Sequence, residues 1–495
     1  MTGSEPIDRE ASFAAPRHAH RLPPSNPGDF GRSIVAVVVA PLVFLIVYSA
    51  FALDQDLLQT DSDSYLQFAA MRTGGYPFFL AVLRPLASNP HIYVHAQLVA
   101  FAAAAAGLGW SIFRSSNSVL TALLAQTILL ANPEVNKQHF TLMTESLFLS
   151  VSVVMIAAAL RYLSRPSCAA LIVAALAAGY AAAIRPTGLV YLPVLAVLVF
   201  SRRGWTERVW RNAAAAALAV AAVFLAEAFY YHANHDGPRQ SLLPVQTFGK
   251  AGMVTVGDPS ALLAGAPRET RSIYHALEAD LQPMREFIAG APNAAARCRL
   301  TANYESFVEY EFLDRDRRTL QSSFGDWPLT MAGLDRIAHA KRDFARHVAD
   351  NYYCLWTIWA ATNAEKDALQ DYIARHRPIP FEANVLASLA TRPSPPAVIV
   401  VRPILISIAS LLALAAATVL VAAAIGAPPS LWFSTAGVCG LMVHGTFLLT
   451  AATGIATPRY TLAAWAPMAI GVLAFVIWAA QSSVARGRGA ERGDP

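Results

Sequence analysis

Long apolar runs separated by short polar breaks occupy most of the chain. A helix needs about 20 largely apolar residues to cross a bilayer, and the runs approach that length ten times. Residues 33–53 carry no charge, and 85–113 is also uncharged, with its span placed from about His91. The run 115–133 follows, and 138–160 is interrupted only by Glu145. Two short runs, 167–184 and 186–201, are separated by Arg185, and 212–235 is broken only by Glu227. The stretch 403–458 is uncharged for 56 residues, long enough for two spans, and Gly426-Ala427-Pro428-Pro429 reads as the turn between them. The last run is 460–485. The pattern predicts an all-α polytopic membrane protein of about ten transmembrane helices. Its expected parts are a cytoplasmic N-terminal tail 1–32, a transmembrane module 33–235 with a first outer loop 54–90, an extracytoplasmic domain 236–397, C-terminal transmembrane helices 398–485 and a cytoplasmic tail 486–495.

Orientation follows from the cations of the short loops. With the N-terminus inside, the inner connections carry Arg114, Arg161, Arg165, Arg202, Arg203, Arg208 and Arg211, and the C-terminal tail adds Arg486, Arg488 and Arg492. The outer short segments hold Arg72, Arg84, Lys137, Arg185 and Arg459. Ten against five puts both termini in the cytoplasm. Ala50-Phe51-Ala52 could pass for a signal-peptidase site, but the preceding run is longer than a usual signal core and further spans follow.

Residues 236–397 hold 18 Lys/Arg and 19 Asp/Glu, nearly neutral and long enough for a small folded domain. Asp258-Pro259 reads as a helix cap with proline in the first turn. Helix-like apolar spacing over 268–288, 294–320 and 334–375 predicts a mainly helical domain, and 378–396 reads as a proline-bearing return linker. Cys168 and Cys439 fall in spans, as small core residues. Cys298 and Cys354 both fall in the outer domain, where an oxidising compartment allows a bridge; the alternative is two separate reduced thiols.

Composition sharpens the class. Charged residues are 14% of the chain and hydrophobic ones 55%, whereas a soluble domain carries about 25% charge. The net charge of +5 does not suggest nucleic-acid binding. No P-loop, dinucleotide loop, nucleophile elbow or His-Glu-x-x-His motif occurs, so ATP-driven transport and nucleotide-cofactor chemistry lose support.

The few charges outside the outer domain and the inner loops mark candidate chemistry. In the first outer loop Asp54 and Asp56 read as solvated, while Asp61 and Asp63 precede Tyr65 and Phe68 at helical spacing. Gly74-Gly75-Tyr76-Pro77-Phe78-Phe79-Leu80 is apolar but too short to span, which suggests an interfacial or re-entrant helix holding the acids at the membrane surface. A carboxylate there can act as a general base. Glu145 opens the fourth run; a carboxylate in a span is a functional candidate by default, the alternative being an interfacial acid paired with Lys137 or His139. Glu227 is a weaker candidate. Arg185 and Arg459 run against the positive-inside trend and suit an anionic ligand such as a lipid-linked phosphate, with Arg84 and Lys137 as further cations. His232 and His235, and His91 and His95, are one turn apart and read as interface features rather than metal ligands.

Together these motifs resemble the GT-C superfamily of polytopic glycosyltransferases, which includes the protein O-mannosyltransferase and lipid A aminoarabinose transferase families. The likeness covers 33–200 and 400–480. It rests on the acidic first outer loop leading to Tyr65 and Tyr76-Pro77, on Thr144-Glu145-Ser146-Leu147-Phe148, on Arg185-Pro186-Thr187-Gly188, and on Pro458-Arg459-Tyr460 with Pro467. The resemblance implies Asp61 as catalytic base, with Asp63 as its alternate or partner, and Glu145 as the acid of the second outer loop. It implies Arg185 and Arg459 at the leaving phosphate, and Tyr65, Tyr76 and Tyr460 in the substrate pocket. The implied donor is a polyprenyl-phosphate sugar used without a nucleotide, the acceptor a hydroxyl of a glycan, lipid or protein, and the location a bacterial inner membrane. No cofactor is certain from the residues, and a divalent metal is possible. Asp61-Ser62-Asp63 departs from the adjacent acidic pair of the mannosyltransferases, which leaves the base between the two aspartates. A competing reading is a secondary transporter with Glu145 and Glu227 as intramembrane ion ligands; a third is an inert assembly scaffold.

Overall fold

In a computed structural model the described residues are 27–52, 57–59, 61–87, 89–200, 207–256, scattered positions between 271 and 305, 326–357, 396–425, 429–454, 456 and 458–491. Every regular element among them is helical. In chain order these are α1 (Pro27–Phe51), α2 (Ser62–Leu66), α3 (Gly75–Leu83), α4 (His91–Ser116), α5 (Val119–Leu130), α6 (Pro133–Lys137), α7 (Thr144–Ser164), α8 (Cys168–Ile184) and α9 (Tyr191–Phe200). They continue with α10 (Glu207–Asn234), α11 (Leu243–Gly252), α12 (Asp326–His339), α13 (Lys341–Thr357), α14 (Pro396–Ile425), α15 (Leu431–Thr453), α16 (Pro458–Ala463) and α17 (Trp465–Glu491).

Among the described residues, six helical segments are long and apolar enough to cross a membrane: His91–Ser116, Thr144–Ser164, Val209–Asn234, Pro403–Ile425, Leu431–Thr453 and Trp465–Val484. The chain is an integral membrane protein. Three of the expected spans appear instead as shorter apolar helices, Val119–Leu130, Cys168–Ile184 and Pro186–Phe200, while the 33–53 span lies within the 25-residue α1. For α5 the reason is local. Ser118 caps α5 by accepting from the Thr121 amide, and Asn132 caps the next short helix by accepting from the Glu134 and Val135 amides. What remains between the caps covers roughly 18 Å, short of a ~30 Å hydrocarbon core.

The centre of the bundle is α7, buried on all sides, as a helix apolar around its whole circumference must be. Its hydroxyls are satisfied inside: Ser150 Oγ donates to the Ser146 carbonyl, and Ser152 bonds the Phe148 carbonyl and the Tyr191 hydroxyl. α4, α8, α15 and α17 pack around it. Small residues bring α14 and α15 into backbone contact, since a Cβ at Gly440 would stand 2.4 Å from the Leu412 carbonyl oxygen. Along most of its length α10 faces outward, as a lipid-facing helix does.

The expected helix 334–375 is broken at Ala340 into α12 and α13, and residues 358–375 lie outside those described. Two buried arginines bind the carbonyls at the end of α11: Arg336 reaches Ala251 and Val254, and Arg285 reaches Gly252 and Val254, where such carbonyls lack helical partners. Glu305 Oε1 accepts from Lys250 (2.6 Å), His347 (2.7 Å) and Asn351 (2.9 Å). Cys298 and Cys354 are disulfide-bonded. Cys439 is buried as expected, but Cys168, the first residue of α8, is exposed. The Asp258-Pro259 cap, all of the 378–396 linker but Pro396, which opens α14, and most of 268–288 and 294–320 lie outside the described residues.

Candidate functional site

The loop between α1 and α3 is pinned to the chain before α7. The Leu142 amide donates to the Leu57 carbonyl, and the buried Ser62 hydroxyl donates to the Leu142 carbonyl. Asp61 stands at the head of α2, where its own carbonyl accepts from the amide and hydroxyl of Ser64. The loop then reverses at Phe68, which holds a left-handed φ of 49°. That conformation is uncommon for a bulky residue and is held from several sides. His235 Nε2 bonds the Phe68 carbonyl, and the Phe68 ring stacks on Tyr230 and meets Tyr231 edge-on.

The reversal returns Arg72 to Asp61. Its Nη2 lies 2.8 Å from Asp61 Oδ1, its Nη1 donates to the Tyr65 hydroxyl at 3.1 Å and its Nε to Ser64 Oγ at 2.8 Å. The guanidinium also sits 4.4 Å from the centre of the Tyr65 ring. Beyond it the loop is strapped to the C-terminal parts of α8 and α10. Thr73 donates to the Ile184 carbonyl, the Gly74 amide donates to Glu227, and Tyr180 donates to the Gly75 carbonyl. Gly75 is required here, because a Cβ would lie 2.6 Å from the Ala183 carbonyl oxygen.

A second ion pair lies deeper. Glu145 sits in the first turn of α7, where the helix dipole favours an acid. Arg185 ends α8, its carbonyl accepting from Gly188 as the chain turns through Pro186–Val190. Arg185 Nη1 is 2.9 Å from Glu145 Oε1, with side-chain exposures of 9% and 1%. The guanidinium lies 4.8 Å from the Tyr460 ring centre and 6.0 Å from that of Phe148. Tyr65 is buried and feels the charges of both pairs. Burial pushes its hydroxyl above the ordinary phenol range, with Glu145 and Asp61 adding to the rise and Arg72 and Arg185 opposing it. Tyr76 packs edge-on against Tyr65 and donates to Gln97, whose amide holds the carbonyls of His139 and Thr141.

Asp61 and Glu145 both border an open cavity of about 280 Å³ lined by Gln59, Asp61, Lys137, Gln138, Thr141, Met143 and Glu145. Three of the candidate residues, Asp61, Glu145 and Lys137, therefore meet in one space. Asp63 is exposed and does not line it. Arg84 is exposed on a 3-10 turn after α3 and is also absent from the lining. Arg459 lies on α16, and its side chain is outside those described. Glu145 pairs with neither Lys137 nor His139, as a sequence-local pairing would have it. Lys137 pairs with Glu134, and His139 shares a bond with Ser146. Glu227 pairs with Arg239 as well as binding Gly74.

Sequence reasoning missed Arg72, which it counted only as an outer-face cation, and Gln97, a polar residue in an apolar run. Among the described residues, no group of three or more His, Cys, Asp or Glu could hold a metal ion. Of the histidine pairs, His235 is taken up by backbone carbonyls and His232 is exposed. Comparison of the chain with protein-family models, curated proteins and solved structures gives no match. The class that fold and site define is an all-helical integral membrane protein with a carboxylate-lined cavity where its first loop, α6 and the start of α7 meet.

Proposed function

We propose that the protein is a GT-C-like membrane glycosyltransferase of about ten transmembrane helices. It moves a sugar from a polyprenyl-phosphate donor to an acceptor hydroxyl on the outer face of a bacterial inner membrane. One observation carries the reading: Asp61, Glu145 and Lys137 line a single cavity at the loop end of the bundle. In the reaction Asp61 takes the proton of the acceptor hydroxyl as its oxygen bonds to the anomeric carbon. The bond from that carbon to the phosphate oxygen breaks, and its electron pair leaves with the lipid phosphate, inverting the centre. Arg72 fixes the Asp61 carboxylate, and a positioned base of this kind is worth about 10²–10⁴ in rate. Asp61 is favoured over Asp63 because only Asp61 lines the cavity. Of the cations considered for the leaving phosphate, Lys137 lines the cavity, whereas Arg84 does not and Arg185 is held by Glu145; Arg459 is the remaining candidate.

The test is direct. Purified Asp61→Asn should bind a polyprenyl-phosphate sugar and fail to transfer it, and a strain lacking the protein should accumulate that lipid. Full transfer by Asp61→Asn would remove the base assignment. The transporter reading has less to stand on, because Glu145 and Glu227 are each engaged by an arginine.

A further inference from the structure

The outer domain reaches into the bundle through α13. Asn351, Cys354, Leu355, Trp356 and Thr357, all in the C-terminal half of that helix, are buried. Trp356 packs on Phe447 and His444 of α15, and the Tyr352 hydroxyl bonds His444 Nδ1. The Leu355 carbonyl accepts from Thr461 Oγ1 at 2.7 Å, a buried bond between residues 106 positions apart. Thr461 is the next residue after Tyr460 on α16, and the Tyr460 ring lies against Arg185, which holds Glu145. On the outer side α13 is tied by the Cys298–Cys354 bridge and by the bonds of His347 and Asn351 to Glu305. α16 has only six residues, too few for a helix to hold itself, so its orientation depends on what packs on it.

We propose that Thr461 is a positioning residue. Through it the disulfide-tied end of α13 sets Tyr460 against Arg185, and thereby sets the Glu145–Arg185 pair beside the cavity. The consequence for transfer rests on the function proposed above; the mechanical coupling does not.

The experiment uses the full-length protein in lipid nanodiscs and reads amide hydrogen exchange by mass spectrometry. Thr461→Val removes the donor at nearly constant shape, Thr461→Ser restores it, and Cys298→Ser/Cys354→Ser removes the bridge. Thr461→Val should raise exchange at least about threefold across α16 and at the amides of Arg185 and Gly188. α5 should be unchanged, and Thr461→Ser should match wild type. The bridge variant should raise the same amides together with those of α13. A rise confined to the outer domain, with Arg185 and Gly188 unmoved, overturns the proposal. In a transfer assay Thr461→Val should raise donor KM by about threefold to tenfold with kcat held; unchanged kinetics despite raised exchange also overturns it. Exchange coupling in a protein whose wild type transfers no sugar supports the coupling and sinks the transferase reading instead.

Discussion

Removing one member of the Glu145–Arg185 pair should cost more stability than removing both. The charges stand 2.9 Å apart and are almost entirely buried. At an effective dielectric of about 20 their attraction is roughly 6 kcal/mol. Desolvating each ion costs several kcal/mol, so the intact pair nets close to zero. Arg185→Met keeps the desolvation of Glu145 and loses the attraction, a cost of about 3–5 kcal/mol. It also forfeits the contact with the Tyr460 ring, worth about 0.5–2 kcal/mol. Glu145→Leu strands the guanidinium in the same way. The double variant removes both charges and should return to within about 2 kcal/mol of wild type. Because large membrane proteins commonly unfold irreversibly, the readout is the temperature that leaves half the protein monodisperse after a fixed heating time in detergent. The order should be wild type, double variant, then the two single variants. A double variant less stable than either single one, or single variants indistinguishable from wild type, would refute the argument.

Two further predictions concern the Glu305 cluster and the turn after α8. Burial pushes the Glu305 carboxyl up, but Lys250 and His347 outweigh it and hold the group down at about 2, below its ordinary 4.5. A depressed folded pKa contributes stability that is present above about 4.5 and lost as pH falls towards 2, on the order of 3 kcal/mol in all. Protection factors of α11 and α13, corrected for the intrinsic exchange rate at each pH, should therefore fall between pH 5 and 3 in wild type, while Glu305→Gln should be less protected at neutral pH and lack that acid-dependent step. Gly188→Ala would bring a Cβ to 2.3 Å from the Ala181 carbonyl carbon. Backbone cannot yield as a side chain can, so the cost should reach the top of the usual ~1–3 kcal/mol for overpacking, read as a fall in monodisperse yield, whereas Gly31→Ala, which meets nothing, should express normally.

Long apolar helices were legible because a span is a local property: 138–160 can be counted along the chain, and α7 lies within that stretch except at its last residues. Helix ends were less legible. The run 115–133 looks continuous in hydropathy, yet Ser118 and Asn132 cap helices within it, and a cap outweighs a run of apolar neighbours at a terminus. The pairings were not legible at all. Sequence proximity offers Glu145 to Lys137 and His139, but α7 and α8 are adjacent antiparallel helices whose loop ends come level, so the partner is Arg185, 40 positions on. The Asp61–Arg72 pair depends on a left-handed Phe68 held by Tyr230, Tyr231 and His235 from α10 and the residue following it. Nothing within 61–72 reports those partners. The disulfide was undecided for the same reason, because a separation of 56 positions says nothing of where two cysteines meet.

The two ion pairs also rank the cations around the cavity. Asp61 and Glu145 each already hold a guanidinium, so no uncompensated negative charge is stored there. A phosphate recruiting Arg185 must draw it from Glu145, leaving a buried carboxylate at a cost of about 3–5 kcal/mol. Lys137 is different. Its pair with Glu134 is 62% exposed on both sides, and such a pair is worth at most about 1 kcal/mol. On the transferase reading Lys137 is then the cation that can change partner on donor binding. Arg185 serves better by staying where it is, keeping Glu145 in place and giving Tyr460 a charge to pack against.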